Sequence, residues 1–247
     1  MLNDPVEWQV IVANPCDRVK PPTVKKKQAK AFTEDQSQEI IRALTTEELK
    51  YQVIIFLAIS TGLRLGELVA LEWKDINFEE KYLTVMRTSQ SIVGLGTFCK
   101  TPKNDSSCRR VTLPRSIIDL LREYKAHQNE IRLQLGDTWQ NYDRLFTQWD
   151  GKPMYTQTPS QWFSKFLKRH NLPHIPSHGL RHTSASLLIA RGTPLKNVSS
   201  HLGHTDIRTT ANIYGHALQS VDQQIADTMD SILTQKNEVN KSKKGQD

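Results

Sequence analysis

The sequence predicts a mainly α-helical chain with one small antiparallel β-sheet, an α+β fold. Three observations carry this expectation. Apolar residues recur at helical spacing in most segments, as at Ile40, Ile41 and Leu44 and again at Val53, Phe56 and Leu57. The period drops to two where Tyr82, Thr84 and Met86 alternate with Leu83 and Val85, the pattern of a half-buried strand. No segment repeats another, so a solenoid or propeller is not expected.

The elements follow in order. Thr33-x-x-Gln36 has the form of a capping box ahead of Ile40, Ile41 and Leu44, which opens a helix. Thr45-x-x-Glu48 has the same form and is expected to open a second helix, with Leu49, Val53, Phe56 and Leu57 inward and a stop near Gly62. A short helix is expected over 65–71. The alternating stretch, closed by Val111-Thr112-Leu113, predicts a small antiparallel sheet over 76–113 with a loop within 91–107. Helices return over 117–135, and Thr158-Pro159 reads as a cap with proline at the first helical position. Trp162, Phe163, Phe166 and Leu167 form the buried stripe of that helix. Residues 178–191 are expected to be helical and stopped by Gly192, and Thr193-Pro194 caps a short helix. Further helices are expected over 207–215 and 221–233.

The first thirty residues are too poor in apolar side chains for a core of their own. Val6, Trp8, Val10 and Ile11 precede Pro15, Lys20-Pro21-Pro22 and Lys25-Lys26-Lys27, an extended basic stretch that reads as a linker. The end, 236–247, is rich in lysine and reads as a solvated tail.

Composition narrows the function. Of 247 residues, 37% are hydrophobic and 24% charged, enough apolar material for a core and too much for a disordered chain. No apolar run reaches membrane-spanning length, and residues 1–10 lack signal-peptide order, so a cytoplasmic chain with no membrane partner is expected. Cys16, Cys99 and Cys108 form no Cys-x-x-Cys pair, which excludes a disulfide framework and a cysteine zinc site. The excess of 33 Lys and Arg over 26 Asp and Glu, net +7, favours a polyanionic partner, because neutralised phosphates release counterions. An ordinary basic surface would give the same balance.

Three clusters carry chemistry. In Thr61-Gly62-Leu63-Arg64-Leu65-Gly66-Glu67-Leu68 an arginine stands at a helix N-terminus, where free N–H groups and a guanidinium suit an anion. Its plainer reading is an ion pair with Glu67. His178-Gly179-Leu180-Arg181 puts two polar side chains on one helical face. Leu202-Gly203-His204 precedes Tyr214-Gly215-His216. A histidine and an arginine one turn apart can hold phosphate oxygens or manage a proton beside them.

Taken together, Arg64, His178-x-x-Arg181, Leu202-Gly203-His204 and Tyr214 resemble the tyrosine recombinase (phage integrase) family. The stretch 177–216 is especially similar, and Thr61-Gly62-Leu63-Arg64 with Glu67-Leu68 and Trp73-Lys74-Asp75-Ile76 matches the family's first arginine box. The resemblance runs from about residue 33 to 233 and implies the tyrosine recombinase catalytic-domain fold and a site-specific recombinase.

By this resemblance Tyr214 is the nucleophile, leaving a 3′-phosphotyrosyl link and a free 5′-hydroxyl. A phenol of pKa about 10 needs a proton acceptor and a cationic site to react near neutrality. The resemblance makes Arg64 and Arg181 the clamp on the phosphate, with His204 bonding to it as a third phosphate-binding group. His178 takes or relays the tyrosine proton. The family's general acid is a hairpin lysine, and Lys103 is the choice here, with Lys100 as the competing position. No metal, no ATP and no other cofactor is implied. The implied partners are double-stranded DNA attachment sites, further copies of the chain in a tetramer on DNA, and accessory DNA-bending or excision proteins. The implied organisation is a remnant of a core-binding domain and linker over 1–30, the catalytic domain over 31–217, a C-terminal helix for subunit packing over 218–235 and a disordered basic tail over 236–247.

Three rival readings stand beside it, one of them a topoisomerase of the same chemistry, which relaxes supercoils without pairing sites. His174, His178 and His182 fall at i, i+4, i+8, with His201-x-x-His204 nearby, as in a metal-dependent nuclease. Pro176 breaks that register, and only Asp206 offers a carboxylate. A non-catalytic DNA-binding module of the same fold would share the composition, yet it has no use for both arginines, two histidines and Tyr214 at once.

Overall fold

The computed structural model describes residues 3–19, 30–92, 94, 96–100, 108–204, 206–208, 210–211, 226–227 and 229–233. The expectations for Lys25-Lys26-Lys27, Lys103, Tyr214, His216 and the tail from 236 lie outside the described residues. The described part begins with a short helix α1 (Asn3–Glu7), and the polypeptide then enters its helical body at α2 (Glu34–Leu44).

The capping box at α2 forms as the sequence predicts. Gln36 N–H donates to Thr33 Oγ1 at 3.2 Å, and Thr33 N–H donates to Gln36 Oε1 at 3.0 Å. Such a cap contributes about 1 kcal/mol. The second expected box does not form. The hydroxyls of Thr45 and Thr46 turn back to the carbonyls of Arg42 and Ala43, so these threonines close α2, and α3 (Leu49–Thr61) starts behind Glu48 without a side-chain cap.

Helix α3 is apolar around most of its circumference, and Val53, Ile54, Ile55, Leu57, Ala58 and Thr61 are buried. A helix of that kind belongs in the middle of a core, and α3 packs against both α5 (Arg115–Leu135) and α7 (His178–Ala190). It ends at Gly62, whose φ of 59° lies in the left-handed region, where glycine pays no Cβ penalty. A short helix α4 (Leu65–Val69) follows.

The β region holds two sheets, one more than the sequence predicts. Strands β1 (Ile76–Asn77), β2 (Tyr82–Val85) and β5 (Arg109–Thr112) form an antiparallel sheet of order β1-β2-β5. Ile76 pairs with Leu83 and Leu83 with Val111, so one buried row crosses all three strands and faces the core. Strands β3 (Thr88–Ile92) and β4 (Gly96–Lys100) pair as a hairpin, a sheet of their own rather than part of the single one expected. The strand β3 reads Thr-Ser-Gln-Ser-Ile, and its hydrophobicity does not alternate. What fixes it is contact with α4, where Ser89 is buried and Gly66 lies against Thr88 and Ser89.

Helix α5 lays Ile117, Ile118, Leu121, Tyr124 and Gln128 on the core. Helix α6 (Thr158–Arg169) buries Phe163, Phe166 and Leu167, while Trp162 is half-buried and stacks on Tyr51. Thr158 is the first helical residue rather than the cap, since the helix starts one residue earlier than expected and Gln157 precedes it. Helix α8 (Leu195–Leu202) pairs with α7 through a small cluster of Ala185, Ile189, Val198 and Leu202. Residues 207–208 and 210–211 are helical, as are 226–227 and 229–233. Among the described residues no helix is long and apolar enough to cross a membrane.

Candidate active site

The turn between α3 and α4 presents the first arginine. After the left-handed Gly62 the backbone straightens, and Arg64 occupies the N-cap position of α4 with its side chain 48% exposed. Glu67, one turn on, satisfies the helix start, accepting from Arg64 N–H through Oε2 at 3.0 Å and from Arg64 Nη1 through Oε1 at 3.0 Å. The ion pair anticipated as the plainer reading of Arg64 is therefore present. It is not isolated. Arg109, at the start of β5, donates through Nη2 to Glu67 Oε2 at 2.9 Å and through Nη1 to Oε1 at 3.4 Å.

The second arginine reaches the same turn from the other side. Arg181 is only 3% exposed, and its Nη1 donates to the Gly62 carbonyl at 2.6 Å. A Cβ on Gly62 would collide with Leu202 and press on Ser184. The α3–α4 turn is thus locked between α7 and α8. His178 opens α7 one turn before Arg181, and its ring meets that of His182 edge-on, with centroids 4.7 Å apart.

The third element is the turn after α8. Gly203 has φ of 71°, and His204 N–H donates to the Ser199 carbonyl at 3.0 Å. Nδ1 of His204 lies 2.8 Å from Thr210 Oγ1.

Arg181, bonded to the Gly62 carbonyl, and Arg109, bonded to Glu67 and to the His201 carbonyl, tie these pieces into one site. Burial, followed by the charges of Arg181 and Arg64, holds the His178 imidazole below its ordinary pKa. Burial lowers His204 to about 4, with Arg181, Arg64, Arg109 and His182 contributing. His182 falls to about 4 through burial, His178 and Arg181. Burial also lowers His201, which a bond to the Ser60 carbonyl opposes and Arg109 and Arg181 reinforce. Burial pushes Glu67 upward, but the hydrogen bonds and charges of Arg109 and Arg64 outweigh it and keep the carboxylate ionised. The site is therefore cationic at neutral pH, with permanent charge on arginine and neutral imidazoles that can accept or donate protons.

Of the sequence-predicted residues, the structure brings together Arg64, His178, Arg181 and His204. Lys103 and Tyr214 lie outside the described residues. Lys100, the competing lysine, ends β4 exposed, its Nζ 5.7 Å from the Phe98 ring centroid. Sequence reading missed Arg109 as part of this cluster. Its one signal was the basic pair Arg109-Arg110 ahead of Val111, which does not say which arginine turns inward. The histidine series of the nuclease reading is not on one helix. His174 precedes α7 and contacts Ser164 Oγ at 3.3 Å. Among the described residues no group of three His, Cys, Asp or Glu side chains is placed to hold a metal ion.

Residues 30–220 match the sequence model of the Phage integrase family. The chain belongs to the phage integrase family. A tyrosine recombinase XerC-like protein of Caldanaerobacter subterraneus subsp. tengcongensis is 33% identical over 94% of this chain and 63% of its own length. The ICEBs1 integrase of Bacillus subtilis is 31% identical, over 92% of this chain and 61% of that protein. The chain thus spans somewhat under two thirds of the length of these relatives. Among solved structures, the Tn1549 transposon integrase in complex with transposon right end DNA superposes with a TM-score of 0.70 at 22% identity, over 88% of this chain and 72% of that one. XerA recombinase superposes with a TM-score of 0.61 at 24% identity, over 83% of this chain and 66% of that one. This integrase-family chain therefore has the fold expected of it, helical with small antiparallel sheets.

Proposed function

We propose that the chain is the catalytic domain of a tyrosine-type site-specific DNA recombinase, which cleaves and rejoins strands to integrate or excise a mobile element. The observation that carries this reading is the convergence of Arg64, His178, Arg181 and His204 on one cationic site, linked through Gly62, Glu67 and Arg109, with the imidazole of His182 beside it. Membership of the phage integrase family and two curated relatives named as a recombinase and an integrase support it.

In this reading the Tyr214 oxygen attacks a DNA phosphorus, the bond from phosphorus to the 5′-oxygen breaks, and a 3′-phosphotyrosyl link forms. His178, neutral at physiological pH, accepts or relays the phenol proton. Arg64 and Arg181 neutralise the non-bridging oxygens as charge grows on them. In the tautomer that accepts a hydrogen bond from the Thr210 hydroxyl at Nδ1, His204 carries its ring proton on Nε2, which then bonds a phosphate oxygen. Lys103, or Lys100 in its place, gives a proton to the departing 5′-oxygen. Rejoining reverses the steps, and the energy of the broken bond is kept in the protein link, so the reaction calls for no ATP and no metal.

The residue roles go with a division of the chain into a core-binding remnant and linker over 1–30, the catalytic domain over 31–217, a packing helix over 218–235 and a basic tail over 236–247. Partners in this reading are double-stranded attachment sites, further copies of the chain in a tetramer on DNA, and accessory bending or excision proteins, all in the cytoplasm.

The test is covalent capture. The chain is incubated in EDTA with a labelled pool of nicked duplexes of randomised core, and products are run on a denaturing gel. A protein-linked band that disappears in Tyr214→Phe supports the reading. DNA binding without any band, or a band unchanged in Tyr214→Phe, contradicts it.

A further inference from the structure

Arg109 occupies a position that strand-anchoring alone does not explain. Its backbone is fixed in the sheet, opposite Val85, and its side chain turns inward until it is 10% exposed, as is that of Glu67. From there the guanidinium bonds in two directions. It forks onto the Glu67 carboxylate through Nη2 at 2.9 Å and Nη1 at 3.4 Å, and Nε donates to the His201 carbonyl at 3.3 Å. The two acceptors belong to different parts of the site. Glu67 also holds the backbone and side chain of Arg64, and His201 lies in the last turn of α8, three residues before His204.

The turn leading to His204 is shaped around this side chain. A Cβ on Gly203 would stand 2.8 Å from Arg109 Cζ and Nη1 and 2.9 Å from Nε, closer than real Cβ contacts come. A planar fork with five N–H groups can serve both acceptors at once, whereas an ammonium on a flexible stem cannot hold both in fixed directions. Burying such a pair gains little stability after desolvation, so geometry is the benefit it supplies.

We infer that Arg109 is a positioning residue, which sets the Arg64 guanidinium and the His204 turn at a fixed separation by bonding simultaneously to Glu67 and to the His201 carbonyl. It touches no reacting atom and acts through those two groups. The inference rests on the recombinase reading above.

The experiment compares the full chain with Arg109→Lys, Arg109→Gln, Glu67→Gln and the Glu67→Gln/Arg109→Lys double variant. Each is assayed for single-turnover covalent capture on a nicked duplex enriched from the randomised pool, for affinity to the same duplex and for its thermal midpoint. Arg109→Lys keeps the charge, so its affinity and salt dependence should stay within about threefold of the parent. Its capture rate should fall by about 10- to 100-fold, the usual effect of misplacing reacting groups by a fraction of an ångström to 1 Å. The double variant should be no slower than the slower single variant, because both substitutions break one link. Arg109→Gln, able to reach one acceptor but not both, should show the same split between rate and affinity. The inference is overturned if Arg109→Lys captures DNA within about twofold of the parent. It is also overturned if rate and affinity fall together in both Arg109 variants, or if the double variant shows the product of the two single losses. Absence of capture by the parent chain would instead count against the recombinase reading.

Discussion

Arg181 and Gly62 are joined by a 2.6 Å hydrogen bond from the guanidinium Nη1 to the glycine carbonyl, although 119 positions separate them. The bond fastens α7 to the turn that presents Arg64. The turn that carries one arginine of the site is thereby held by the other.

That turn has little tolerance. Gly62 has φ of 59°, and an added Cβ would meet Leu202 and Ser184. Gly62→Ala should lower stability by about 1–3 kcal/mol, the sum of left-handed strain and crowding. Urea unfolding measures it. Covalent capture should slow as well, because the displaced carbonyl is Arg181's partner.

The histidine cluster should make the chain acid-sensitive. Burial, reinforced by His178 and Arg181 at His182 and mainly by arginines at His204, depresses both imidazoles from their ordinary value of about 6.5 to about 4. Between those values the unfolded chain binds more protons than the folded one, so stability is fully present above about pH 6.5 and declines as pH falls towards 4. Thermal midpoints recorded from pH 7.5 to 4.5 should show the decline, and His182→Gln should flatten it. A midpoint independent of pH over that window would contradict the assignment.

The same depression predicts proton uptake on binding DNA. A phosphate brought between Arg64, Arg181 and His204 offsets the positive field that lowers His178 and His204. Their pKa values rise, and near pH 5.5 the complex binds protons that the free chain does not. Calorimetry in two buffers of different ionisation enthalpy should show this uptake, and His204→Gln should reduce it.

How much of this was legible in the sequence depends on the range of each interaction. The Thr33–Gln36 capping box and the stops at Gly62 and Gly192 could be read because their bonds or dihedral angles are local. The Thr45-x-x-Glu48 box misled because a threonine hydroxyl bonds backward to a carbonyl as readily as forward to an N–H, and local pattern does not distinguish them. The hairpin of β3 and β4 escaped because the inward side chains of β3 are serines, so its burial alternates without any alternation in hydrophobicity, and β4 alternates in neither. Arg64, His178, Arg181 and His204 were readable as a motif. The bonds that set their separation were not. Arg109 meets Glu67 across 42 positions and His201 across 92, and those meetings depend on how β5 crosses α4 and the end of α8.

The most direct measurement of the central claim is the chemistry of the adduct itself. The captured complex is digested with trypsin and nuclease, and the nucleotide-bearing peptide is sequenced by mass spectrometry, while the released DNA end is tested for phosphorylation by a kinase. The account predicts a 3′-nucleotide phosphate on Tyr214, within the tryptic peptide 209–236, and a free 5′-hydroxyl on the released strand. An adduct on another residue, or a released strand that carries a 5′-phosphate, would contradict it.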